Sequence, residues 1–113
     1  MQIVQMADAQ EFKNSQTCSV YEYFMEDRQI NGAVVKLSGR YPETGCVLNL
    51  KCKELVYVIA GEGKVIVEGK ETPLSEGDVV LISSNEKYFW DGNMTLFVSS
   101  FPAWTMEQYQ KVP

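Results

Sequence analysis

Glu54-Leu55-Val56-Tyr57-Val58-Ile59-Ala60-Gly61-Glu62-Gly63, followed by Gly69 and then Gly77-Asp78-Val79-Val80-Leu81-Ile82, is the stretch that decides the fold class of this chain. β-Branched and aromatic residues fill both apolar runs, and glycines bound them, so the segment predicts two β-hairpins laid around one acidic side chain, Glu54. Gly61-Glu62-Gly63 reads as the turn of the first hairpin, since glycine adopts positive φ freely, and Asp91-Gly92-Asn93 reads as a later turn of the same kind. In Lys64-Val65-Ile66-Val67-Glu68, Val65 and Val67 fall on one face by the strand period of two, and that face is expected to meet the core.

Working outward, short apolar and β-branched runs recur between Gly, Asn, Asp and Pro. They predict strands at Cys18–Met25, Ala33–Leu37, Cys46–Leu50, Leu55–Ala60, Lys64–Glu68, Asp78–Ile82, Tyr88–Trp90 and Met94–Ser100, with an opening strand near Gln2–Gln5. Such spacing argues for an all-β sandwich or barrel. Helical periodicity is nearly absent. Only after Pro102 do Thr105 and Gln108 take capping-box spacing, which predicts a short helical turn near the C-terminus.

The 113 residues, 45% of them hydrophobic, with two Trp, six Tyr and five Phe, suffice for one core, so residues 1–113 are expected to form a single domain. A net charge of −5 argues against nucleic acid and anionic membranes as partners and leaves small neutral or cationic ligands open. The N-terminus lacks the basic start and apolar run of a signal peptide, and no stretch approaches the roughly 20 apolar residues of a membrane span; a cytoplasmic protein is expected. Cys18, Cys46 and Cys52 are an odd number, and they read as thiols. Cys46 and Cys52 lie too far apart for a CxxC ligand pair, and the chain has no histidine to complete a metal site. The same absence excludes Ser–His and Cys–His nucleophile pairs. Gly61-Glu62-Gly63 is too short for a phosphate loop.

With these residues in hand, the chain resembles the cupin superfamily, over roughly residues 45 to 99. Gly45, Glu54 and Gly61 keep the frame of that family's first motif, and Gly69 and Gly77 that of the second, with Ser75 where proline usually stands. Tyr88 falls at the position of the second motif's histidine. The resemblance implies a cupin-type double-stranded β-helix, that is a jelly-roll barrel, whose mouth holds a metal or a small ligand. Both histidines of the first motif are missing. Their places fall on Leu48 and Leu50 in one register, or on Val47 and Asn49 in the other. The usual metal set of imidazoles plus a carboxylate is therefore reduced to its carboxylate, and no cofactor is expected, an atypical divalent metal being the alternative.

Candidate site residues follow from alternation within that frame. Glu54 shares a face with Val56 and Val58 and should point into the barrel, where it needs a partner; failing a ligand, it would pair with a lysine such as Lys53 or Lys87. Tyr88 and Trp90 share parity and can line one wall, and Asn49 adds an amide if the second register holds. Arg40, beside Tyr41 in a loop before Pro42, could overhang the mouth and grip an anion. Trp104 either closes the open end or packs on a second subunit. The leading expectation is a binding module for a sugar or other small polar molecule through Arg40, Asn49, Glu54, Tyr88 and Trp90. The alternatives are an isomerase or epimerase using Glu54 and Tyr88 as acid and base, and a metal-dependent enzyme with an unusual ligand set. Outward aromatics such as Tyr57 and Phe89, together with the resemblance, suggest a homodimer.

Overall fold

A computed structural model describes residues 1–113, and its architecture is all-β as the alternation predicts. Nine strands, β1 (Gln10–Ser15), β2 (Cys18–Tyr23), β3 (Asn31–Ser38), β4 (Cys46–Asn49), β5 (Lys53–Val67), β6 (Lys70–Ser75), β7 (Val79–Ile82), β8 (Tyr88–Phe101) and β9 (Tyr109–Val112), join in one curled sheet. The two longest, β5 and β8, run antiparallel from Lys53↔Phe101 to Val67↔Tyr88 and form the spine. On the far side of β5, β7 flanks the first half and β6 the second. On the far side of β8, β3 leads to β2 and then β1, while Tyr88 meets β4, which carries β9. No helix is long and apolar enough to cross a membrane.

The glycines expected to turn hairpins do something else. Gly61-Glu62-Gly63 and Asp91-Gly92-Asn93 lie inside β5 and β8 and pair with each other, Gly63 directly opposite Gly92. A Cβ on Gly61 would stand 2.1 Å from the Asn93 carbonyl oxygen, and one on Gly92 would stand 2.5 Å from the Gly63 Cα. Side chains are excluded because two backbones approach here at a sharp bend. A register shift between Val58 and Ala60 adds a bulge at the same corner. The expected strands on either side of each glycine segment thus fuse, into β5 and into β8, and the bent pair curls the sheet into a barrel. The tight turn lies further on, where Glu68 and Gly69 both take positive φ, 48° and 80°, between β5 and β6.

Other corrections concern the edges. The opening strand is not at Gln2–Gln5 but at β1, beyond a three-residue 3-10 turn at Met6–Asp8. The C-terminal turn is a single 3-10 turn at Met106–Gln108 with no side-chain cap from Thr105, and the chain then pairs again as β9. Gln108 is held from elsewhere: its side-chain oxygen accepts the backbone N–H groups of Lys51 and Cys52. Tertiary contacts of that kind outweigh the local capping signal. Strands β6 and β9 are rich in Lys, Glu, Thr and Gln, so hydrophobic period does not reveal them.

Inside the barrel, Val47, Val56, Val58, Leu96 and Ile82 are almost wholly buried and form the floor of a core that includes Val65, Leu74 and Met94. Burying each such aliphatic side chain contributes about 1.5–3 kcal/mol. Intervening residues of the spine and of β7 beside it face outward and are large and apolar: Leu55, Tyr57 and Phe97, with Leu81 and Val79 of β7, are all 42–59% exposed. They line up across strands, Val79–Tyr57–Phe97 in one row and Leu81–Leu55 in the next.

Candidate functional site

Glu54 is the second residue of β5, and alternation puts it in the inward row with Val56 and Val58. Its carboxylate faces a cavity of about 260 Å³ above the aliphatic floor. Three neutral side chains hold it. Tyr88 Oη donates to Oε1 at 3.0 Å, Ser100 Oγ donates to Oε2 at 3.3 Å, and the Asn49 amide adds a further stabilising contact. Burial pushes the Glu54 carboxyl above its ordinary range, and these hydrogen bonds pull in the opposite direction. Tyr88 is itself buried, and burial, with the Glu54 charge next to it, drives its phenol well above 10. It is a permanent donor at neutral pH.

Asn49 is buried and Leu50 is 40% exposed, which selects the register with Val47 and Asn49 inward. The Asn49 Oδ1 accepts the Trp104 indole N–H at 3.0 Å, so the segment after β8 is tied across the site. Trp104 packs edge-on against Tyr109, and the Tyr109 hydroxyl meets that of Tyr41 at 2.6 Å. Trp104 therefore closes the cavity of its own chain. Trp90 stands beside Tyr88 in an edge-to-face pair with ring centroids 6.1 Å apart, and both line the cavity, as their shared parity requires.

Arg40 goes elsewhere. Its guanidinium donates to the carbonyls of Pro42 and Gly45 and stacks 3.8 Å from the centre of the Phe89 ring, outside the set of cavity-lining residues. The loop delivers Tyr41 to the cavity instead. Nor does a lysine neutralise Glu54: the single side-chain ion pair in the molecule is Lys64–Glu71 on the surface, and the Lys53 ammonium sits over the Phe101 ring.

The structure adds a second acid that sequence reasoning passed over. Glu22 on β2 lines the same cavity and accepts a 3.4 Å contact from the Asn31 amide. Burial and the Glu54 charge push its carboxyl up to about 7, against a smaller opposite pull from Asn31. A signal was present, because Cys18, Val20 and Glu22 form one row on a strand that the sequence does predict. No lysine or arginine lines the cavity.

The donors do not suit the divalent metal that this kind of barrel often holds. Val47 occupies one inward position, the Asn49 oxygen is taken by an indole, and the Tyr88 phenol donates to the only central carboxylate. No group of three or more Cys, Asp or Glu side chains converges in a way that could hold a metal ion. The thiols offer nothing in their place: burial raises Cys18, on the cavity wall, and Cys52, whose backbone N–H donates to Gln108, to about 12.

The model of the cupin domain family matches residues 51–95, the segment that carries Glu54, the glycine corner and most of β8. Among solved structures, a single-substitution variant of Streptomyces PAC13 with uridine superimposes with a TM-score of 0.89 at 16% identity, covering 98% of this chain and 90% of that one. PAC13 is described as a unique nucleoside dehydratase. The ectoine synthase of P. lautus gives 0.78 at 16% identity, covering 100% and 91%, and KdgF of Halomonas sp. gives 0.71 at 14%, covering 90% and 94%. No curated protein matches by sequence. At such identities these likenesses establish the fold and leave the chemistry to this chain's own residues.

Proposed function

We propose that this chain, which belongs to the cupin superfamily, binds a small polar molecule in the barrel without help from a metal, with Glu54 as the group that recognises it. One observation carries the reading. A carboxylate is kept inside an apolar cavity by three neutral donors and no cation, an arrangement that costs stability and gains nothing unless something enters beside it. Tyr88, Trp90 and Trp104 supply flat walls suited to the face of a sugar or a nucleoside-like ring. That PAC13 was solved with uridine makes nucleosides sensible first probes. A thermal-shift screen over sugars, nucleosides and small amines tests the reading, since a ligand at a hundred times its Kd stabilises by about 2.7 kcal/mol. Glu54→Gln is expected to weaken the hit at least tenfold; an unchanged affinity would refute the role given to Glu54.

A second reading, acid–base catalysis of the isomerase or epimerase kind, is favoured by the pairing of two carboxylates whose environments differ. Glu54, with its hydrogen-bond donors, suits the base. Glu22, held up to about 7, suits the acid better than Tyr88, whose proton is bound too firmly to be given away. Turnover of a bound ligand that Glu54→Gln abolishes without loss of binding would establish it.

The outward apolar rows of β5, β7 and β8 support a homodimer through that face. A stable interface buries about 800 Å² per partner, and half a dozen half-exposed Leu, Val, Tyr and Phe side chains supply much of that.

A further inference from the structure

The charge balance of the cavity narrows the ligand class. The walls present Glu22 from β2 and Glu54 from β5, with no basic residue from any element. Around the two acids β1 contributes Phe12 and Asn14, β3 contributes Asn31, Ala33 and Val35, and the remaining wall is largely aromatic. The other titratable groups are Cys18, Tyr41, Tyr88 and Tyr109, each pushed upward by burial and therefore uncharged at neutral pH. An anionic ligand would meet two carboxylates and nothing to pair with. A neutral ligand would leave the buried Glu54 charge without a partner and Glu22 holding its proton beside it. A cation compensates both at once, and aromatic faces attract it further.

Resting on the reading of this cavity as a ligand site, we infer that its ligand carries a positively charged nitrogen, an ammonium or quaternary ammonium group held by Glu22 and Glu54 within the aromatic walls. Phosphorylated sugars, nucleotides and organic acids are excluded by the same charge. The neutral polar part of the ligand is left to Asn31, Ser100 and Tyr88, whose side chains reach the cavity as hydrogen-bonding groups.

Binding of such a cation displaces the proton that Glu22 retains near neutrality. The sign follows: the cation prefers the ionised carboxylate, so affinity is full above about pH 7 and falls as the pH drops through that value.

Titration calorimetry on the full chain with matched probes tests this. Choline is compared with 3,3-dimethylbutanol, its uncharged carbon isostere, and ethanolamine with ethylene glycol, with uridine as a neutral nucleoside. At least one cation is expected to bind tenfold or more tightly than its uncharged counterpart at about pH 8, and to lose at least tenfold by about pH 5.5. Glu22→Gln, which preserves shape, should remove most of that pH dependence; its far-ultraviolet circular dichroism checks the fold. If the uncharged probes bind as well as the cations, or better, the inference is overturned while the cavity remains a ligand site. If neither kind binds, and the wider screen is also empty, the ligand reading falls together with it. If a cation binds with no pH dependence in the wild type, Glu22 has no part in holding it and the two-acid site is wrong.

Discussion

Each surface of the β5–β8 spine departs in one place from the usual distribution of polarity, the inner one above its aliphatic floor. Towards the inside the same two strands present Glu54, Ser100 and Tyr88, joined by Glu22 and Asn49, whereas towards solvent they present Leu55, Tyr57, Phe97 and Phe101. Scattered exposed apolar residues are ordinary in proteins, but a row of them across three strands is not, and neither is a pair of acids enclosed without a counter-charge. Each surface is incomplete by itself. The inner one lacks a charge partner, and the outer one lacks a cover.

The separation of the two surfaces depends most on the glycine corner. Gly61→Ala would place a Cβ 2.1 Å from the Asn93 oxygen at a φ of 87°, and about 4 kcal/mol of stability or more should disappear in urea melts, enough to leave much of the chain unfolded. Gly69→Ala, also at positive φ but with nothing within 4 Å, should cost only about 1 kcal/mol. Equal costs would mean that the close approach of the strands is not what the glycine serves.

Next comes the floor against the outside. Leu96→Ala, at a fully buried position, is expected to lose about 2–5 kcal/mol, whereas Leu55→Ala at 51% exposure should lose under about 1 kcal/mol from the monomer. Chemical denaturation at low protein concentration measures both.

Smaller again is the cost of the enclosed acids. Glu22 has a folded value of about 7 against an ordinary 4.5, so the folded state holds its proton where the unfolded chain has released it. Stability is therefore greatest below about 4.5 and declines as the pH rises towards 7. Discounted for partial exposure to about 1 kcal/mol, this amounts to roughly 5 °C in Tm between pH 5 and pH 8. Glu22→Gln should flatten the profile; a Tm that rises over this interval in the wild type would show Glu22 to be better solvated than its position implies.

Smallest in stability, though not in consequence, is Tyr57→Lys on the outer face. It should leave the monomer within about 0.5 kcal/mol of the parent and halve the mass seen in light scattering. An unchanged mass removes this face as the dimer contact.

Period-two alternation made the site's central strand legible, because Glu54, Val56 and Val58 obey it and the glycine spacing marks the barrel frame. Tyr88 and Trp90 were readable for the same reason. The glycine corner was not, since a glycine needed for close backbone approach and one needed for a turn look identical in a sequence, and only the partner strand tells them apart. Glu22 escaped because its role depends on β3 and β8 setting β2 beside β5 in the same curled sheet, so that two acids far apart in the chain line one cavity. Arg40 was misplaced by chemistry: a guanidinium in a loop suggests an anion, yet backbone carbonyls and the face of Phe89 satisfy it as well.

Trp90 and Trp104 are the only tryptophans in the chain, and both border the cavity, one in the wall and one across its closing segment. The protein thus carries its own optical reporter. Entry of a molecule alters the surroundings of both indoles and of nothing else that emits at their wavelength, so unlabelled protein can be titrated by fluorescence, and quenching by iodide compares how open each indole is before and after filling.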